Sequence, residues 1–162
     1  VEERVLSEAS KAEIRKIREE YPDPESALLP ALSLAQRDYG GWLPEEAFDE
    51  VAEVMDLPAT YVASVASFYT MLYRKPVGQH LIQVCTNLSC SLLGAEHLLD
   101  YIGNKLGIGV GETTQDGKFT LLEVECLGSC GTAPMMQVDD RYYENLTQDK
   151  IDHILAELIS KG

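Results

Sequence analysis

EVECLGSCGTAPMMQVDD, Glu123 to Asp140, opens on an alternating apolar run, passes two cysteines separated by three residues, and resumes an apolar run after a proline. The runs on either side have the length and composition of short strands, so Cys126 and Cys130 fall where a strand gives way to a loop. The other two cysteines of the chain, Cys85 and Cys90 in QVCTNLSCSL, stand in the same relation to the short β-rich run HLIQVC. Two loops at the same end of neighbouring strands bring four thiols towards one point. The flanks complete the pattern: KFTLLEV precedes the second pair, and PMMQV and RYYEN follow it as two short strands around the acidic turn Asp139-Asp140.

Between the two pairs, Ser91 to Lys105 reads as one helix with Leu92, Leu98, Leu99, Ile102 and Leu106 on the stripe that a sheet would cover. Glycines and the Asp116-Gly117 turn signal then lead into the next strand. Thr147 is placed to cap a final helix with Ile151, Ile154, Leu155, Leu158 and Ile159 in register. The order strand, helix, strand, strand, strand, helix predicts an α/β domain with a mixed sheet and flanking helices over residues 78–162.

Residues 1–77 read instead as helices punctuated by proline and glycine. Ser10 is a candidate cap for a segment reaching Tyr21, with Ile14 and Ile17 on one side. A second candidate runs from Ser26 to Tyr39 and stops at Gly40-Gly41. Pro44 suits the first turn of a third, with Phe48, Val51 and Val54 or Met55 at helical spacing. Pro58 opens a fourth, ATYVASVASFYTML, apolar enough to be expected largely buried.

At 162 residues and 45% hydrophobic composition the chain holds enough apolar surface for a full core plus a helical appendage, without disulfides. It has no run near the roughly 20 apolar residues of a membrane span, and its N-terminus lacks a basic-then-apolar signal pattern. These features predict a reducing, intracellular setting. Thirteen Lys and Arg against 27 Asp and Glu leave a formal charge of -14, which disfavours nucleic acid and anionic lipid as partners.

Several chemistries compete for the cysteines. Buried structural cysteines would be scattered on apolar faces, whereas here all four read as loop residues among Thr, Asn, Ser and Gly. Disulfides suit a secreted chain, and nothing marks this one as such. Zinc accepts four thiolates tetrahedrally but usually takes them from tight C-x2-C knuckles. The wider C-x4-C and C-x3-C loops suit a larger object, a 2Fe-2S cluster, whose irons need two thiolates each and whose sulfides need room and N–H donors. Thr86, Asn87, Ser89, Gly128, Ser129, Gly131 and Thr132 are small enough to let backbone approach sulfur. Zinc and iron–sulfur both remain open on this ground.

Other sites are absent from the pattern. GIGVG, Gly107 to Gly111, lies between a helix and a strand, the reverse of a dinucleotide-binding turn, and lacks its spacing. His80, His97 and His153 are far in sequence from each other and from the cysteine loops, which excludes a Rieske centre. The C-x-x-C of a dithiol catalyst is missing. Tyr142 and Tyr143 read as core or interface residues, one to each side of a strand.

CTNLSC with its following helix, VECLGSCGTAPMMQV and YYENLT, preceded by LPEEAFDEVAEVMDLPATYVASVASFYTML, together resemble the thioredoxin-like 2Fe-2S subunit of respiratory NADH:quinone oxidoreductase, complex I, called the E subunit in bacteria. The resemblance runs over nearly the whole chain. It implies a thioredoxin-like fold for residues 78–162 and one 2Fe-2S cluster on Cys85, Cys90, Cys126 and Cys130, the first pair on one iron and the second on the other. It implies an electron-transfer subunit with no complete active site of its own, and a flavoprotein partner that holds FMN and the NADH site close to the cluster. It further implies a cytoplasmic location within a larger respiratory complex, peripheral on the inner face of the plasma membrane and not inserted in it. Diaphorase subunits of NAD-linked hydrogenases and formate dehydrogenases share these motifs, and a zinc-stabilised interaction module or a stand-alone ferredoxin are the readings from other classes. The excess of carboxylates predicts a low cluster potential, raised locally by N–H donors to sulfur. Two positions depart from the family: Asp139 stands where Asn is common, and Met136 where a branched aliphatic is. Met136 is expected to lie near enough to the cluster loop to affect its packing.

Overall fold

The computed structural model describes residues 5–161 and divides the chain into two compact units, residues 1–76 and residues 77–162.

The first unit is helical. Helix α1 (Glu8–Glu19) is capped by Ser7, whose hydroxyl accepts from the Ser10 N–H at 3.2 Å. Ser10, the expected cap, is therefore a helical residue; serine suits either place, and it is the extended backbone of Ser7 that decides. A single 3-10 turn, Pro24–Ala27, leads into α2 (Leu28–Asp38), so the regular helix starts later than Ser26. Both Gly40 and Gly41 then adopt positive φ and end the segment. Pro44 and Pro58 sit just outside α3 (Glu45–Met55) and α4 (Ala59–Phe68), as extended N-cap residues. The helices meet around Ile14, Leu28, Leu32, Val51, Met55 and Val62, all nearly inaccessible to solvent. Polar closure comes from Glu50, which accepts the Tyr39 O–H at 2.7 Å and the Leu6 N–H at 2.9 Å.

Helix α4 does not fit the expectation of burial. Only Val62 and Ala66 are buried on it, and Phe68 beyond them is 79% exposed, with Met71 at 68%. Its composition is apolar all round, but one helical face is all that the bundle covers.

The second unit is a four-stranded sheet with helices. Strand β1 (His80–Cys85) pairs in parallel with β2 (Phe119–Val124) and antiparallel with β3 (Met136–Val138), which pairs with β4 (Arg141–Tyr143); the order is β2-β1-β3-β4. Parallel neighbours need a crossover connection, and the helical segment between β1 and β2 supplies it. The mixed sheet with its flanking helices is the α/β arrangement predicted. β1 is buried from Leu81 to Cys85, as the middle of a sheet should be. Asp139 takes positive φ in the β3–β4 turn, where Asp and Asn both serve, and its carboxylate accepts the Leu81 N–H and faces His80 Nδ1 at 2.8 Å.

The expected helix from Ser91 to Lys105 is two helices. α5 (Leu88–Leu92) ends at Leu93, Gly94 turns the chain with φ of +87°, and α6 (Ala95–Leu106) starts afresh. Leu98, Leu99 and Ile102 keep their place in the core, whereas Leu92 is thrown outward and is 77% exposed. The last helix, α7 (Gln148–Lys161), is capped by Thr147, whose hydroxyl accepts from the Lys150 N–H. It buries Ile151, Ile154 and Leu155, but Ile159, expected on the same stripe, is half exposed. Among the described residues no helix is long and apolar enough to cross a membrane.

Candidate iron–sulfur centre

The parallel pairing of β1 and β2 does the assembling. Cys85 is the last residue of β1 and lies opposite Val124, the last of β2, so the chain leaves both strands side by side at one end of the sheet. Thr86 holds the two exits together: its N–H donates to the Val124 carbonyl at 3.1 Å and its hydroxyl to Glu123 at 2.8 Å. From the first exit, Asn87 caps the short α5 and places Cys90 within it. From the second exit, Cys126 follows two residues after Val124, and Cys130 opens a single 3-10 turn, Cys130–Thr132.

All four thiols are free, but they are not four loop residues. Cys85 and Cys90 are buried, 3% and 2% exposed, in a strand end and a helix, where they form a small apolar cluster with Ala95 and Met135. Cys126 and Cys130 are exposed. Met136, expected beside the cysteines, belongs instead to the core beneath the sheet with Ile82 and Val84; the strand alternation turns it away, and Met135 takes the place next to Cys85 and Cys90.

Backbone N–H groups surround the sulfurs. Burial pushes the Cys85 thiol up, but N–H donors from Asn87 and Leu127, with the Cys90 and Cys126 thiols, outweigh it and hold Cys85 below its ordinary value. Cys90 moves the other way: burial raises it first, then its hydrogen bond to Cys85, against an N–H donated by Met135, while charge on Cys85 and Cys130 acts in the same raising sense. The Gly128 N–H points to Cys126 Sγ at 3.3 Å, from a glycine whose φ of +77° no L side chain adopts readily. Cys85 and Cys90 share one small apolar cluster, and the loop of Cys126 and Cys130 leaves the sheet at the same end, so the fold brings the two cysteine loops together.

This donor set suits an iron–sulfur cluster. Such clusters take thiolate ligands, which N–H groups stabilise, and need open space beside the ligand loop. Added Cβ atoms at Gly128 and Gly131 would meet nothing within 4 Å.

Sequence reading found the ligand candidates but not their support. Leu127 and Met135 donate through the main chain, which any residue type can do. Tyr142 and Glu144 were missed as well. The Tyr142 O–H donates to the Leu127 carbonyl at 2.7 Å, and Glu144 Oε1 accepts from the Ser129 hydroxyl and, at 2.6 Å, from the Thr132 hydroxyl. Their spacing of two along the end of β4 was the available signal, since alternate residues share one face of a strand.

The family model for the thioredoxin-like [2Fe-2S] ferredoxin matches residues 14–159. The E subunit of the NADH-quinone oxidoreductase of Rickettsia conorii is 48% identical over 145 residues, 88% of this chain and 87% of that protein. The corresponding E subunit of Pseudomonas aeruginosa is 40% identical over 155 residues, 96% of this chain and 93% of its own. The mitochondrial NADH dehydrogenase [ubiquinone] flavoprotein 2 of Dictyostelium discoideum is 45% identical over 147 residues, which cover 90% of this chain and 60% of the longer relative. Among solved structures, an NAD+-reducing [NiFe]-hydrogenase in the air-oxidized state aligns with a TM-score of 0.72 at 22% identity, over 83% of this chain and 23% of the hydrogenase chain. That likeness is one of fold. The match of family model and relatives over most of the length, on a sheet that gathers four free thiols at one end, means that the chain belongs to the thioredoxin-like [2Fe-2S] ferredoxin family.

Proposed function

We propose that this chain is the electron-transfer subunit of an NADH-quinone oxidoreductase, holding one 2Fe-2S cluster on Cys85, Cys90, Cys126 and Cys130. The observation that carries the reading is the parallel β1–β2 register, which sets Cys85 opposite Val124 and so delivers both cysteine pairs to one end of the sheet. When bound, the cluster supplies a site that takes up and releases single electrons with no bond made or broken on the protein. The chain's own residues do the rest. Cys85 and Cys90 hold the inner side, shielded from water with Ala95 and Met135, while Cys126 and Cys130 face the surface. The N–H groups of Asn87, Leu127, Gly128 and Met135 favour anionic sulfur at Cys85, Cys126 and Cys90.

The relatives named as subunits of the oxidoreductase support assembly into a larger complex. The chain carries no motif for NADH or flavin, so the reading assigns both to a flavoprotein partner whose FMN lies near this cluster. Residues 78–162 then form the cluster domain and residues 1–77 the helical docking region, for which the exposed Phe68, Tyr69 and Met71 are suitable contacts. The assembled complex would place the chain peripherally at the inner face of the plasma membrane.

The test is stoichiometric reduction under anaerobic conditions. One electron per chain should produce a paramagnetic signal, and affinity purification of the tagged chain from its own cell should bring down a flavin-containing protein that oxidises NADH. A colourless chain with no signal on reduction is the result of a zinc module. A coloured chain that elutes alone is the result of a free ferredoxin.

A further inference from the structure

The segment following β4, Glu144-Asn145-Leu146, is stitched to the second cysteine loop. The Asn145 N–H donates to the Thr132 carbonyl at 2.7 Å, and the Leu146 N–H to the Pro134 carbonyl at 2.9 Å. Lys150 Nζ reaches back to the Asn145 carbonyl at 2.9 Å, which fixes the segment from its other side. On this frame Glu144 Oε1 meets two hydroxyls, those of Ser129 and Thr132, which flank Cys130 at one and two residues' distance. The two hydroxyl oxygens also lie 2.8 Å from each other.

A hydroxyl has one proton to give. Ser129 has two acceptors in reach, Glu144 and the Thr132 hydroxyl; Thr132 has Glu144, the Ser129 hydroxyl and the Ser129 carbonyl at 3.1 Å. An ionised carboxylate is the strongest of these, and charge-assisted hydrogen bonds are about twice as strong as neutral ones. An ordinary glutamate is already an anion at neutral pH, and the same two hydroxyls hold the Glu144 carboxyl lower still. Both protons therefore point at Glu144. Neither remains for the sulfurs, and O–H donation to sulfur is one of the levers that raise an iron–sulfur potential.

We propose that Glu144 is a positioning residue for the iron–sulfur centre: by claiming the hydroxyl protons of Ser129 and Thr132, on either side of Cys130, it withholds both from the sulfurs and keeps the centre hard to reduce. The inference rests on the proposed function above, since it needs a cluster on the four cysteines.

The experiment is a set of redox titrations on the full chain, followed by the paramagnetic signal, with four variants beside the parent. At the parent's midpoint, Glu144→Ala should raise the ratio of reduced to oxidised centre about threefold or more, the worth of one freed hydrogen bond. Ser129→Ala with Thr132→Val, in the presence of Glu144, should leave the ratio within about twofold of the parent, because those protons were already taken. The triple variant should fall back from Glu144→Ala towards the parent. Loss of the carboxylate charge is common to Glu144→Ala and the triple variant, so the gap between them is the hydroxyl contribution. Equal ratios in those two overturn the inference, as does a Ser129/Thr132 variant that shifts as far as Glu144→Ala. Should Glu144→Ala shed its iron, Glu144→Gln carries the test: its neutral carbonyl is a weaker acceptor, and a ratio at or below the parent's overturns the proposal. A parent that lacks iron and labile sulfide overturns both the proposed function and this inference, whereas a loaded parent with unmoved variants overturns this inference alone.

Discussion

Met135 and Met136 are adjacent in sequence, chemically identical and both fully buried, yet strand alternation sends them to different clusters. Truncating each to alanine removes three heavy atoms beyond Cβ. At ~0.8 kcal/mol per buried methylene-sized group the lost transfer energy is about 2.4 kcal/mol, and the residual cavity brings the whole to about 3 kcal/mol, inside the range for buried Met→Ala. Both variants should therefore lose about 3 kcal/mol of stability, read from urea unfolding of the second unit by far-ultraviolet circular dichroism. Their effects on the centre should differ. Met135 packs against Cys85 and Cys90, its carbonyl accepts the Cys85 N–H at 3.3 Å and its own N–H serves Cys90. Met135→Ala should accordingly change the visible circular dichroism of the bound cluster and hasten its loss in air, while Met136→Ala should leave the visible spectrum of the folded fraction as it was. Met135→Leu, which conserves volume, should cost under about 1.5 kcal/mol and restore the spectrum. The reasoning fails if Met136→Ala alters the spectrum and Met135→Ala does not.

Three further outcomes follow from particular contacts. Gly78→Ala would put a Cβ 2.8 Å and 2.9 Å from the Phe119 backbone, which has no freedom to yield; the variant should lose about 1–3 kcal/mol by thermal unfolding, and a stability equal to the parent's would refute the close approach. Phe68→Ser combined with Met71→Ser should leave stability within about 0.5 kcal/mol, because both side chains are exposed, yet weaken recovery of the flavoprotein partner in affinity purification; undiminished recovery would remove this surface from the docking region. Lys105 and the Tyr101 hydroxyl hold the Asp152 carboxyl below its ordinary value, with contacts of 2.9 Å and 2.8 Å. A depressed folded-state value means that the stabilisation is present above the unfolded value of about 3.9 and disappears as pH falls through the folded one, so Asp152→Asn should be less stable than the parent at neutral pH and match it in strong acid; a deficit that persists in strong acid would count against the electrostatic cause.

Periodicity was the most legible signal in the sequence. The short β-rich runs HLIQVC, KFTLLEV, PMMQV and RYYEN, bounded by turn residues, located all four strands, and the stripe Ile151, Ile154, Leu155 located the last helix. What the pattern does not contain is the neighbour. Helix α4 is apolar enough for a core, but Phe68 and Met71 have no element of the described residues over them. The same holds at Leu92, where one glycine with positive φ separates two helices that a continuous stripe had joined; an internal glycine costs a helix only about 1 kcal/mol, so its presence did not announce a break.

The centre divides along a similar line. Four cysteines in a chain with no other thiol are visible at once, and their spacing already favours a ligand larger than one ion. Their unequal burial, the donors Leu127 and Met135, and the grip of Tyr142 and Glu144 on the second loop arise from β1 lying between β2 and β3, which is a property of strand order. Backbone donors leave no trace in residue identity. Side-chain donors and acceptors do, and the alternation of Tyr142 and Glu144 beside the second cysteine pair is the trace that sequence reading could have followed.

Iron and acid-labile sulfide, assayed together on the anaerobically purified chain, test the central claim most directly. The account predicts two irons and two sulfides per chain, with both lost when Cys85 or Cys126 is replaced by serine and the fold held. One zinc per chain with no labile sulfide would contradict it.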